Sequence, residues 1–261
     1  MEGASETETA PDPETRTWAD ASRVFARDVV NLLAVLNRRN LLHWLSWAIT
    51  LTIALSVTVV LSGGQIYGWE QEVTREFQAW DYPEWAFRIT SSSLADPMSW
   101  QGGLIMASVA VVLLLLRHRV EAALVVLIFP LHVLGNFPKA IIDRERPSEM
   151  FDGIFGVGRE MSFPSGHSEY AVTFFGFIAF VALTHLSGRV QRAGIVLFWI
   201  GFAILVGFGR IAHGHHWPLD VLTSYVVGIG LLSGLIWLHT GLCRARGLRA
   251  REDAPVTSPQ A

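Results

Sequence analysis

The chain has 261 residues, 51% hydrophobic and only 16% charged. A soluble domain carries roughly a quarter charged residues, so this balance argues against a soluble enzyme. With 20 basic and 23 acidic residues the formal charge is -3, which leaves no general electrostatic case for nucleic-acid binding. Cys243 is the only cysteine, which excludes a disulfide framework and a zinc cluster built on cysteines. Lys139 is the only lysine; the other 19 basic residues are arginine.

Residues 1–40 form a first segment. Residues 1–14 are acidic and polar where a cleavable signal needs a basic start and an apolar run, so no such signal is expected, and the tail reads as disordered. Between Trp18 and Leu36 apolar residues recur at helical spacing around Arg23, Arg27 and Asp28. This suits an amphipathic helix on the membrane surface and an ordinary cytosolic helix equally.

Residues 41–243 read as a six-span membrane domain. The stretches 41–62, 99–116, 122–138, 170–188, 193–209 and 221–243 contain no Asp, Glu, Lys or Arg. Each approaches the roughly 20 apolar residues that cross a bilayer. The expected fold is all-α: a six-transmembrane-helix bundle with an amphipathic N-terminal segment and a helical outer loop. Residues 244–261 form a basic tail.

Short cytoplasmic loops accumulate arginine and lysine, and that rule orients the chain. Arg38 and Arg39, Arg117 and Arg119, Arg189 and Arg192, and Arg244, Arg246, Arg249 and Arg251 all fall on one side of the six spans. The opposite side holds the loop 63–98, where Glu70, Glu72, Glu76, Asp81, Glu84 and Asp96 outnumber Arg75 and Arg88. Both termini are therefore expected in the cytoplasm of a cell-membrane protein. Trp69, Trp80, Trp85 and Trp100, with Tyr67 and Tyr82, lie in or beside that loop and suit interfacial anchoring or plain interface aromatics.

This orientation gathers the unusual polar residues on the outer face, where ionisable groups at membrane depth are costly and usually functional. Three blocks carry them. Lys139 and Arg146, before Pro147, are two cations seven positions apart that could bind an anion. Taken alone, snorkelling to lipid headgroups is the simpler reading of that pair. Pro164-Ser165-Gly166-His167 opens the fourth span. Free backbone N–H groups at a helix start, the Ser165 hydroxyl and the bare Gly166 backbone form an anion site, with His167 placed to exchange a proton.

In the third block Arg210 precedes His216 and Asp220, which stand one helical turn apart at the start of the sixth span. A carboxylate bonded to one ring nitrogen leaves the other lone pair exposed, as a histidine nucleophile or base requires. Between Glu160 and Glu252 the only acids are Glu169 and Asp220. His213 and His215 read as rim residues, and a metal is disfavoured because no nearby cysteine or second carboxylate completes a ligand set. His43, His118, His132, His185 and His239 read as structural.

Together Lys-x6-Arg-Pro, Pro-Ser-Gly-His and Arg-x5-His-x3-Asp, running from Lys139 to Asp220, resemble the type 2 phosphatidic acid phosphatase (PAP2) superfamily. The resemblance implies a phosphatase with no metal and no cofactor, acting in the bilayer on membrane lipid phosphates or pyrophosphates such as phosphatidate, phosphatidylglycerophosphate or undecaprenyl pyrophosphate. It implies a phosphohistidine on His216, Asp220 orienting that ring, and His167 as general acid. Lys139, Arg146, Arg210, Ser165 and the Gly166 N–H would hold the phosphate. One position departs from the pattern: the serine usual before the motif arginine is Gly209. A lost hydrogen bond to a charged group costs about 1.5–3 kcal/mol unless water or another group replaces it. Arg144 and Glu169, beside the motifs, have no assigned role.

A lipid phosphotransferase on the same site stays open, since a phosphohistidine can pass its group to another alcohol. A phospholipid-binding transporter or scaffold is disfavoured, because these polar residues lie at span ends and not at the bilayer midplane. Vanadate-dependent haloperoxidases and soluble acid phosphatases share the motifs, but six spans argue against both.

Overall fold

The computed structural model describes residues 64–81, 96–147 and 161–252, with Ser46, Ile49, Thr50, Thr52, Ile53, Pro83, Trp85, Ile89 and Thr90. The described residues are helical, with no strand among them: α1 Gly68–Ala79, α2 Trp100–Leu115, α3 Arg119–Gly135, a 3-10 turn Phe137–Ala140, α4 Gly166–His185, α5 Arg189–Ala212 and α6 Pro218–Glu252. Helices α3 to α6 are long and apolar enough to cross a membrane, and α2 is a shorter apolar helix of 16 residues. Five of the six predicted spans coincide with α2 to α6. The first, like the segment 1–40, lies outside the described residues except for a few helical positions. Helix α6 runs past the predicted end of its span to Glu252, through arginine, leucine and alanine, all good helix formers.

The predicted helical outer loop is α1, and its start explains why it is helical. Glu70 reaches back so that its Oε2 accepts the Tyr67 N–H at 3.1 Å, satisfying a donor that the first turn would leave unpaired. At α2 the Ser99 hydroxyl accepts the Gly102 N–H at 3.0 Å. Pro218 occupies the first position of α6, where its missing N–H costs nothing. Asp220 then accepts the Trp217 N–H at 2.8 Å, the same device as Glu70 in α1.

Helix α4 is the centre of the bundle. It packs on α3, α5 and α6, and 72% of its span is buried. Tyr170, Phe174 and Phe177 fill one face, with Tyr170 and Phe174 stacked at 4.8 Å. Without a hydrophobic drive between helices in lipid, close approach at small residues supplies the contact energy. A β-carbon on Gly228 would come within 2.8 Å of Val172, and one on Gly176 within 2.7 Å of Leu232, so α4 and α6 touch nearly backbone to side chain. The outward faces of α2 and α5 expose Leu115, Leu197 and Phe198, as lipid-facing surfaces do. Trp69, Trp80, Trp85 and Trp100 are exposed.

Candidate active site

The end of α3, the start of α4, the end of α5 and the start of α6 meet at one end of the bundle. The arginine pairs Arg117/Arg119 and Arg189/Arg192 fall at the opposite helix ends. A cavity of about 510 Å³ opens between the meeting ends, lined by Lys139, Arg146, Gly166, His167, Arg210 and His216 among others. Six of the eight residues singled out in the sequence thus face one space.

Lys139 arrives on the 3-10 turn that closes α3, where its N–H bonds Asn136 O at 3.0 Å. The chain then runs extended, and Ile142, Arg144 and Arg146 are buried while Ile141, Asp143 and Glu145 are exposed. This two-residue period turns both arginines inward. Gly166 sits where a β-carbon would come within 2.9 Å of Asn136 Oδ1, so only glycine keeps that wall open. At the end of α5 the Arg210 carbonyl accepts the N–H of His215 at 3.0 Å and of His216 at 3.1 Å, and Gly214 takes a φ of 71° to allow the turn.

His216 is almost wholly buried, and its Nδ1 lies 2.7 Å from the Ser162 carbonyl. A carbonyl only accepts, so Nδ1 carries the proton and Nε2 keeps its lone pair. Burial, followed by the charges of Arg210, Lys139 and Arg146, holds the imidazole well below its ordinary pKa and hence neutral. The predicted direct contact from Asp220 is replaced by this carbonyl: Asp220 Oδ2 stands 3.8 Å from Nδ1. Asp220 is instead committed to Arg144 Nη1, to the Ser162 hydroxyl at 2.5 Å and to the Trp217 N–H. It therefore acts on His216 through Ser162, whose hydroxyl and carbonyl bond one to each.

Ser165, predicted as a phosphate donor, is buried with its hydroxyl 3.0 Å from that of Ser168, and it does not line the cavity. His167 lines the cavity with its Nε2 3.9 Å from Asp96 Oδ2. His215 lines the rim as expected, its Nδ1 3.3 Å from Arg146 Nη1. Burial, then Arg210 and Arg146, push its pKa down to about 3, so the ring stays neutral and accepts from the guanidinium. His213 is pushed down to about 4 by burial and Arg210.

Sequence reasoning missed four contributors. Arg144 is fully buried between Asp220 and Glu70, the latter 2.6 Å from Nη2. Glu70 Oε1 also accepts the Leu219 N–H at 3.2 Å, so the outer helix is fastened to the start of α6. Burial pushes the Glu70 pKa up against the opposing pull of Arg144. His132, read as structural, lines the cavity and bonds Glu169, whose other oxygen accepts the Thr173 hydroxyl at 2.5 Å. At Gly209 the missing serine has a steric cause. A β-carbon there would overlap Thr90 Cβ and come within 2.6 Å of its Cγ2, so buried Thr90 fills the notch beside Arg210.

Fold and site together define a multi-pass membrane protein with a cationic, histidine-lined cavity at one bundle end. Residues 120–242 match the PAP2 superfamily, a span that holds every site residue predicted from the sequence. It is 34% identical over 119 residues to a lipid A 1-phosphatase of Rhizobium etli, covering 42% of this chain and 47% of that protein. It is 31% identical over 115 residues to phosphatidylglycerophosphatase B of Bacillus subtilis, covering 43% and 55%. The chain thus spans about half the length of these relatives. The crystal structure of a transmembrane PAP2 type phosphatidylglycerolphosphate phosphatase from Bacillus subtilis shares the fold with a TM-score of 0.59 at 22% identity, covering 77% of this chain and 96% of that one.

Proposed function

We propose that this protein is a PAP2-type membrane phosphatase acting on lipid phosphates or pyrophosphates. The observation that carries the reading is the convergence of Lys139, Arg146, Arg210, His167 and His216 on one cavity. His216 Nε2 attacks phosphorus and the bond to the leaving oxygen breaks, while His167 donates the proton that the departing lipid alkoxide or phosphate takes up. Water activated by His167 then hydrolyses the phosphohistidine. The three cations and the Gly166 N–H stabilise charge on the equatorial oxygens, a task that magnesium performs in other phosphoryl transfers. Ser165 contributes by setting the start of α4. Asp220 holds Ser162 and so the His216 ring. The acyl chains stay in the bilayer while the headgroup enters from the outer face, with both termini in the cytoplasm. The arginine pairs at the far helix ends support that orientation.

The test is phosphate release in detergent from phosphatidate, phosphatidylglycerophosphate, undecaprenyl pyrophosphate and lipid A, with EDTA present throughout. Release from at least one lipid, undiminished by EDTA, is the expected result, and the fastest one names the substrate class. Binding without release from any of the four would return the protein to the scaffold reading.

Thr90 completes the site where the family's serine is absent. Gly209→Ser should lower stability by about 1–3 kcal/mol through overpacking against Thr90 and slow phosphate release. Thr90→Gly added to Gly209→Ser should recover most of both losses. Thermal unfolding and turnover of the two variants check this, and an additive double variant would break the link between the positions.

A further inference from the structure

The catalytic cavity leaves unused a second cluster at the other end of the bundle. His118 caps the start of α3 and Glu121 lies in its first turn, while His239 and Cys243 stand one turn apart on α6. Side chains three or four apart share a helix face, so each helix presents a chelating pair and the two pairs meet. Glu121 Oε1 lies 2.8 Å from His239 Nε2, and Cys243 Sγ lies 3.6 Å from the same nitrogen. On its other side Glu121 Oε2 is 3.8 Å from His118 Nδ1. Among the described residues, Glu121, His239 and Cys243 form a group whose ligand atoms all fall within 4.8 Å of one another.

The three donor atoms stand close enough together to share one zinc ion. With metal bonds of about 2.0–2.3 Å, neighbouring donors in such a site stand roughly 3.3–3.6 Å apart. The Glu121–His239 pair needs to open by about half an ångström, while the Cys243–His239 separation of 3.6 Å already matches. Charge fits as well: one thiolate and one carboxylate neutralise a divalent ion, which matters at the end of a membrane span. The His239 ring is already braced edge-on by Phe180 at 5.2 Å and Phe177 at 6.5 Å, and His185 packs edge-on against His118 at 5.0 Å. The donor set of sulfur, imidazole and carboxylate selects a borderline-soft ion such as zinc over magnesium or calcium.

We propose that Glu121, His239 and Cys243 form a zinc site that clasps α3 to α6, with water as the fourth ligand. The site lies 19 residues along α6 from Asp220, about 29 Å at helical rise, so it binds without touching the chemistry. One thiolate suffices in a mixed donor set, so a single cysteine is no bar to this site.

The full chain, purified in detergent and stripped with EDTA, is dialysed against Zn2+ and separately against Co2+. The expected result is about one Zn2+ per chain and, with Co2+, a near-ultraviolet sulfur-to-cobalt charge-transfer band from tetrahedral thiolate coordination. Zinc at a hundredfold excess over its Kd should raise the melting temperature by roughly 5 °C. Cys243→Ser, a change at an exposed position, should abolish the cobalt band and at least tenfold of the zinc affinity while the protein still folds. Glu121→Gln should weaken zinc likewise. Phosphate release by the stripped enzyme should stay unchanged. Failure to bind zinc, or zinc and cobalt signals that persist in Cys243→Ser with Glu121→Gln, would overturn the proposal; the persistent signals would place the ion at His213 and His215 instead.

Discussion

Replacing His216 with alanine should cut phosphate release by about four orders of magnitude while leaving lipid binding within a few-fold of wild type, because the proposed nucleophile is lost and the cations are not. The structural basis is the fixed tautomer. Nδ1 is held 2.7 Å from the Ser162 carbonyl, so the reactive lone pair belongs to Nε2, and Nε2 shares a cavity with three cations. Those same cations, after burial itself, keep the ring below its ordinary pKa. A base with a lowered pKa stays competent as pH falls through the usual histidine range, so protonation of His216 should cut off kcat/KM only well below pH 6.5. The phosphoenzyme formed from 32P-labelled lipid should be acid-labile and alkali-stable, as a phosphoramidate is, and absent from the alanine variant. Retention of more than about a tenth of wild-type release would remove His216 from the nucleophile role.

The motifs made much of this cavity legible because each is local: a turn, a helix start, a helix end. Lys139, Arg146, Gly166, His167, Arg210 and His216 need only the order of the spans to be brought together. What the sequence concealed depends on pairings across long separations. One helical turn between His216 and Asp220 suggested direct contact, yet Arg144 carries a full charge at another point of the chain and takes the carboxylate first. The alternation Ile142, Arg144, Arg146 was a visible signal that Arg144 also points inward. Glu70 had no such signal. It is one of six acids in the outer loop, and only its position in the first turn of α1 sets it apart. His132 sits in an apolar run and looked structural until α3 packed against Glu169 of α4. Gly209 read as a missing donor, whereas a side chain arriving from Thr90 occupies that space.

Arg144 should prove as important to the fold as His216 is expected to be to the reaction. It lines no part of the cavity, so its removal tests positioning and not phosphate binding. Glu70, Arg144 and Asp220 are fully buried, and the single guanidinium is bonded to both carboxylates. Breaking a buried ion pair by deleting one partner costs about 3–5 kcal/mol, because the survivors remain charged and dry. Arg144→Met leaves two such survivors. Glu70, whose pKa burial already raises, then loses the charge that opposed the rise, and its pKa climbs further. Asp220 keeps the Ser162 hydroxyl and the Trp217 N–H as donors but loses the guanidinium that bonded it. Arg144→Met should therefore lower the melting temperature in detergent by about 10 °C. Release should fall mainly through kcat, since Ser162 and with it the His216 ring lose their anchor. Adding Glu70→Gln removes one uncompensated charge and should return part of the stability but little of the activity, because Asp220 still lacks its cation. Arg144→Lys reaches one carboxylate at a time, lacking the planar fork that spans two, and should fall between wild type and Arg144→Met. An Arg144→Met protein that melts within a degree of wild type would mean that α1 is held to the bundle by its apolar contacts alone, such as Phe77 tilted against Phe208 at 4.6 Å, and that Asp220 needs no cation to keep its place.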